Sequence, residues 1–229
     1  MEFKNFTYLL VLIASIAVPL ALSFDRKVQF YKKLKYILPA IFVTAVIFIA
    51  WDINFTAANI WSFNLEYTLG KEFKGLPVEE WLFFLVIPYA CVFIYEVLKV
   101  YAEKWEFANA FLVLSLLLIV VFGLISYFFR NQAYTFLTFL FSAVYLAYTV
   151  FRNKFKPFIT KFYFTYLVSL IPFLIVNGIL TGIPVVEYNS AQILNIRFIN
   201  IPMEDFSYLF LMLLMVITIY ETLKESKYY

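Results

Sequence analysis

The stretch PVEEWLFFLVIPYACVFIYEVLK, residues 77–99, returns 125 residues later as PMEDFSYLFLMLLMVITIYETLK, residues 202–224. Seven of the 23 aligned positions are identical without a gap, and the identities include rare polar residues. Pro77 meets Pro202, Glu79 meets Glu204, and Tyr95, Glu96 and Lys99 meet Tyr220, Glu221 and Lys224. Glu80 falls on Asp205 and Trp81 on Phe206. Chance alignment of apolar runs does not match scarce acids, so the chain carries an internal repeat. The register extends upstream: Asp52 falls on Asn177, Asn64 on Asn189 and Phe73 on Phe198. Gly70 and Gly75 fall on Asn195 and Asn200, and glycine and asparagine best tolerate positive φ. The two loops are therefore expected to make the same turns.

Seven apolar stretches surround this core: 5–24, 36–53, 79–98, 107–129, 132–151, 162–181 and 204–223. Each is close to the 20 or so residues a membrane helix needs. Hydrophobic residues make up 64% of the 229, and the mean hydropathy is +0.86, well above that of soluble domains. The expected fold is an all-α membrane protein of seven transmembrane helices. The first stretch has a longer apolar run than a signal peptide, and its positive charge follows rather than precedes it, so it is read as a span that stays. Spans one to three pair with five to seven, and span four is a linker. Three reversals plus a fourth bring both repeats in from the same face, giving two parallel three-helix repeats in a 3+1+3 order. The corresponding segments are 1–99, 100–130 and 131–229.

Orientation follows from lysine and arginine. Arg26, Lys27, Lys32, Lys33, Lys35, Lys99, Lys104, Arg152, Lys154, Lys156, Lys161, Lys224 and Lys227 lie on one side. Only Lys4, Lys71, Lys74, Arg130 and Arg197 lie on the other. The richer side is expected to be cytoplasmic, with the N-terminus outside, the C-terminus inside and the chain in the cell membrane. Glu79 and Glu80 then lie at the outer face. The net charge of +3 is this asymmetry and implies no nucleic-acid partner.

Six polar groups gather at that face: Asp52 and Asn177 close spans two and six, while Glu79, Glu80, Glu204 and Asp205 open spans three and seven. Proline followed by acids is an ordinary helix start, where carboxylates complement the dipole. Duplication at symmetric positions, with Asp52 inside a span and Asn177 at its mirror position, argues for more than that. Charged groups in spans usually face the bundle interior or a pathway. Glu79 and Glu204 are expected at one depth, facing across the pseudo-axis. Opposed carboxylates in apolar surroundings do not all ionise, which places an acid beside a base. Trp51, Trp61, Trp81, Phe83, Phe84, Phe206 and Tyr208 are candidates for an apolar pocket whose ring faces would stabilise positive charge. Glu96 with Lys99 and Glu221 with Lys224 read as i,i+3 surface pairs. Tyr95 and Tyr220 read as interfacial residues.

Absences narrow the chemistry. There is no histidine, and the single cysteine, Cys91, sits inside a span. No GxGxxG or Walker motif occurs. The three aspartates, Asp25, Asp52 and Asp205, make no Asp-rich diphosphate site. Proton chemistry on a lipid-soluble substrate fits what is left.

At the doubled Pro-x-Glu-[Glu/Asp]-aromatic motif the chain resembles the membrane-integral, non-flavin lycopene β-cyclases, which occur as two small subunits or one fused chain. The resemblance rests on Trp51-Asp52, Trp61, Phe63, LPVEEWLFF (76–84), Asn177 and IPMEDF (201–206), and spans nearly the whole chain. Two departures stand out: Asp205 in place of glutamate, and Asn177 in place of an acid. Membership implies a carotenoid substrate whose linear ψ ends close to β-ionone rings. An acid protonates the terminal alkene and a carboxylate removes a proton, with no net redox change and no cofactor. It implies that Glu79 or Glu204 is the acid, that another carboxylate of the cluster is the base, and that Asp52 and Asn177 orient or relay. A carotenoid hydratase, a cyclase of longer carotenoids and a proton-coupled transporter share parts of this pattern. Pro88 and Pro172 fall at non-equivalent positions, which counts against the transporter. The sequence leaves open a homo-oligomer.

Overall fold

The computed structural model describes residues 3–152 and 155–225. Lys154 and Lys227, counted above on the basic side, lie outside the described residues. Seven helices dominate: α1 (Thr7–Leu22), α2 (Leu34–Ala57), α3 (Val78–Tyr101), α4 (Ala108–Phe128), α5 (Ala133–Phe151), α6 (Ile159–Gly182) and α7 (Met203–Glu225). All seven are long and apolar enough to cross a bilayer, and the protein is an integral membrane protein of the 3+1+3 kind.

Pro77 sits just ahead of α3 with φ −61° and ψ 149°, where its missing N–H removes no helix bond. Glu79 and Glu80 fill the first turn of α3, as Glu204 and Asp205 fill that of α7. The loop before each helix is built alike. Asn64 and Asn189 accept from the backbone N–H of Glu66 and Ala191. Short hairpins follow, β2 (Glu72–Phe73) with β3 (Leu76–Pro77) and β5 (Arg197–Phe198) with β6 (Ile201–Pro202). Gly70 and Asn195 share a left-handed backbone (φ 67° and 59°), as do Lys74 and Ile199 (58° and 59°). The expected match of Gly75 with Asn200 does not hold. Gly75 has φ 78°, while Asn200 is not left-handed and spends its amide on Gly178 O and Thr181 Oγ1, at 2.7 and 2.8 Å.

Helix α7 is buried on nearly every side, and α3 lies beside it. α1 packs on α3 as α5 packs on α7, while α2 crosses to α7 and α6 to α3. Each repeat thus seats its second helix on the third helix of the other. The linker α4 packs on α5. Lipid offers no hydrophobic drive between helices, so side-chain hydrogen bonds count. Ser142 bonds Ser207 at 2.9 Å, Ser115 bonds Tyr163 at 2.7 Å, and Tyr145 bonds Thr218 at 2.7 Å.

The pseudo-two-fold is visible at both ends of the bundle. At one end β1 (Trp61–Phe63) pairs antiparallel with its own counterpart β4 (Val186–Tyr188), centred on Ser62 opposite Glu187. At the other end Tyr95 donates to Glu221 and Tyr220 to Glu96, both at 2.9 Å. Lys99 reaches Glu221 at 2.5 Å and Glu96 at 3.5 Å, and Lys33 pairs with Glu96. Glu96 and Glu221 are only 1% and 3% exposed. These are not the surface pairs and interfacial tyrosines expected. The intra-helical contact of Lys224 with Glu221 stretches to 4.0 Å, because the residues turn inward to cross the axis.

Candidate active site

The first turns of α3 and α7 place four carboxylates at one end of the bundle, and α2 and α6 bring Asp52 and Asn177 to the same level. Two half-sites result, built from equivalent residues but bonded differently. In the second half, Asp205 is saturated. Its Oδ1 accepts from Tyr134 at 2.6 Å, and its Oδ2 accepts from Asn177 at 2.7 Å and Tyr188 at 2.8 Å. Burial and the neighbouring negative charge of Asp205 hold the Tyr188 hydroxyl well above the usual phenol range, so it remains a donor.

In the first half, Glu80 accepts from Tyr8 at 2.5 Å. Phe63, which has no hydroxyl, stands where Tyr188 stands in the second half, and Asp52 stands where Asn177 does. Asp52 is 2% exposed, and its Oδ2 has no hydrogen-bond partner among the described residues. One half is rich in donors and the other poor.

Both halves open into the same cavity of about 650 Å³. Tyr8, Asp52, Glu80, Tyr134, Asn177, Tyr188 and Asp205 form its polar head. The rest is apolar apart from Ser15 and Ser169 and runs beside α3 from Glu80 to Ile94, about 21 Å at the helical rise. Trp61, Phe83 and Tyr208 line the wall near the head, with Phe63 beside them.

Glu79 and Glu204 lie elsewhere. Both are fully buried, yet neither lines the cavity. Glu79 Oε1 accepts the backbone N–H of Leu69 at 2.7 Å. Glu204 Oε1 accepts that of Leu194 at 2.7 Å and the hydroxyl of Thr135 at 2.6 Å. Each carboxylate thus turns into the loop of its own repeat instead of facing the other across the axis. Those loops carry β1 and β4, and hence Trp61 and Tyr188. Four of the expected pocket aromatics are also off the wall. Trp81 packs on Phe73 at 5.1 Å and donates to its carbonyl at 3.3 Å. Its counterpart Phe206 packs on Phe173 and Phe198. Phe84 is buried between Phe48 and Phe83. Trp51 is enclosed by Phe48, Phe55, Phe141 and Tyr208.

The tyrosines that grip the carboxylates escape a fixed shift of 125. Glu80 and Asp205 are 125 apart, but Tyr8 and Tyr134 are 126 apart. The first repeat holds one extra residue between its first and second spans. Realigning the first span by a single position brings the two tyrosines together in the sequence.

Fold and site together define a membrane-embedded protein with a greasy cavity headed by paired carboxylates, suited to proton transfer on a lipid-soluble molecule. A family model described as lycopene cyclase matches residues 5–98 and again 131–223. The two matches are the two repeats, offset by 126 residues where they begin and by 125 where they end, and α4 falls between them. The chain belongs to the lycopene cyclase family. Searches of curated proteins and of solved structures returned no match.

Proposed function

We propose that the chain is a lycopene β-cyclase, closing a ψ end of a linear carotenoid to a β-ionone ring without redox change. The donor-poor half, Glu80 and Asp52, delivers a proton to the terminal alkene of the substrate. The tertiary cation is attacked by the next double bond along the chain, and the ring closes. The cation now inside the ring loses a proton to regenerate an alkene. A carbocation is a strong acid, so even a carboxylate that accepts three hydrogen bonds, such as Asp205, is basic enough to take that proton. Its three donors hold it fixed in direction. Trp61, Phe83 and Tyr208 line the same region, and their π systems stabilise the passing cation. Glu79 and Glu204 act as positioning residues, through the loops that carry Trp61 and Tyr188. The basic excess on the far end supports an orientation with the carboxylate head at the outer leaflet of the cell membrane and the N-terminus outside.

The observation that carries this reading is the unequal bonding of the two half-sites at the head of one apolar cavity. Expression in lycopene-accumulating cells, followed by chromatography of the pigments, tests it. The expected result is loss of lycopene with appearance of cyclic carotenoids. Unchanged lycopene in cells that hold the folded protein would refute it.

A further inference from the structure

The pseudo-two-fold generates two clefts of the same descent, one between α1 and α6 and one between α5 and α2. Only the first is open. At the carboxylate end Tyr8 and Leu12 of α1 meet Leu180 of α6 and Val185 of the loop that follows it. Beyond that cluster, the cavity-lining residues Ala14, Val18, Pro172 and Ile175 are exposed on the lipid-facing surface. Val18 and Ile175 are 62% and 61% exposed while also lining the cavity. A residue on both surfaces marks an opening between them.

Side-chain size accounts for the difference between the clefts. The open side carries Ala14, Ser15, Ala90, Val176 and Leu180 on its walls. Their counterparts on the closed side are Leu140, Phe141, Met215, Trp51 and Phe55. These fill the space: Trp51 packs on Phe141 at 5.2 Å and on Phe55 at 5.4 Å, and Phe55 packs on Trp61 at 4.9 Å. Gene-level symmetry has been broken by bulk, and one doorway remains.

We infer that the cleft between α1 and α6 is the doorway through which one end of a linear apolar polyene slides from the bilayer to the carboxylate head, and that its mirror cleft is sealed by Trp51, Phe55 and Phe141. The inference rests on the cyclase reading for the identity of the polyene, but not for the location of the opening. The cavity is a single sleeve with one head, so a molecule is handled one end at a time. Its second end is reached only after withdrawal and reversal.

The test uses the full chain in lipid nanodiscs and a linear isoprenoid hydrocarbon bearing a diazirine near one end. After irradiation, labelled peptides are mapped by mass spectrometry with and without excess lycopene. Labelling of the α1 segment around Ala14 and Ser15 and of the α6 segment from Pro172 to Leu180 should be competed by lycopene. Asp52 on α2 and Tyr134 on α5 line the head and are reached from inside, whereas labelling of the outward residues Val46 and Ile47 of α2 and Phe141 and Val144 of α5 should stay at the uncompeted level of a lipid-facing helix. Ser15→Phe gives the open side the residue of the closed side, and should lower competed labelling by about tenfold or more, the equivalent of overpacking a tight site. Val144→Trp, on the outer face of α5, should change nothing. Competed labelling at the outward residues Val46 and Ile47 of α2 or Phe141 and Val144 of α5 would overturn the doorway, as would an α1–α6 cleft labelled by a diazirine phospholipid without competition from lycopene. So would an absence of competed labelling, whether or not rings form. Competed labelling at α1 and α6 in a protein that forms no rings would instead sink the cyclase reading and leave the doorway standing.

Discussion

Asp52→Asn removes one oxygen's worth of chemistry and almost nothing else. The two side chains have the same shape, and Asn177 shows that the repeat accepts asparagine at this place. Asp52 Oδ2 has no partner among the described residues, so the amide nitrogen that replaces it breaks no bond made by that oxygen. The expected loss of folding stability is therefore below about 1 kcal/mol, the size of an ordinary hydrogen bond. The loss of a proton donor is far larger. General acid catalysis contributes typically about 10²–10⁴-fold, or about 3–5 kcal/mol of barrier. The assay is ring formation per mole of folded protein in membranes supplied with lycopene, with thermal unfolding in detergent as the control for folding. A ring-forming rate down by about a hundredfold or more, with unfolding unchanged, is the expected pair of results. Full activity in Asp52→Asn would show that the difference between the half-sites is not what drives the chemistry.

Tyr188→Phe takes one of three donors from Asp205 and should cost about 1.5–3 kcal/mol of stability, the range for hydrogen bonds to charged groups, read from thermal unfolding. Because the Tyr188 hydroxyl titrates well above its ordinary value, the intact protein should keep this donor through pH 10, and ring formation should show no alkaline step there. Ile199 is a β-branched residue with φ 59° and 84% of its surface exposed, so Ile199→Asn loses no packing and relieves backbone strain. It should stabilise the protein by about 1 kcal/mol, and an unfolding temperature that falls would contradict the strain. Tyr95→Phe and Tyr220→Phe each remove a buried bond to a carboxylate across the axis. Both should destabilise, and a double-mutant cycle should show coupling, since the two bonds share one ion cluster. Strict additivity would mean the two halves of the clamp are independent.

The repeat, and with it the helix order, was legible because the matching residues were rare ones. Glu79, Glu96 and Lys99 stand out in a chain with only 14% charged residues. The positions of the acids in the first turns of α3 and α7 followed from Pro77 and Pro202. What the sequence did not reveal was direction. On a helix, Glu79 and Glu80 point about 100° apart, and only packing decides which meets the cavity and which anchors a loop. Tyr8 and Tyr134 were hidden by one extra residue, which a gapless shift cannot absorb. Tyr188 reaches Asp205 from a loop whose path depends on the pairing of β1 with β4, a contact between the repeats that neither repeat encodes alone. The closed cleft was present in the list of side chains, as Trp51 and Phe141 against Val176 and Ser15. It acquires meaning only once α1, α3 and α6 are placed around a common space. Glu96 and Glu221 were assigned to the surface by spacing, and the crossing tyrosines draw them inside.

In the proposed mechanism the chain closes rings by adding a proton from its carboxylate head and removing another. Membranes containing the protein, supplied with unlabelled lycopene in deuterium oxide, test it by mass spectrometry of the products. Protonation of the terminal alkene by a group in exchange with water predicts one deuterium retained for each ring formed, and none in recovered lycopene. Rings that form without deuterium, or lycopene that stays linear beside folded protein, would contradict it.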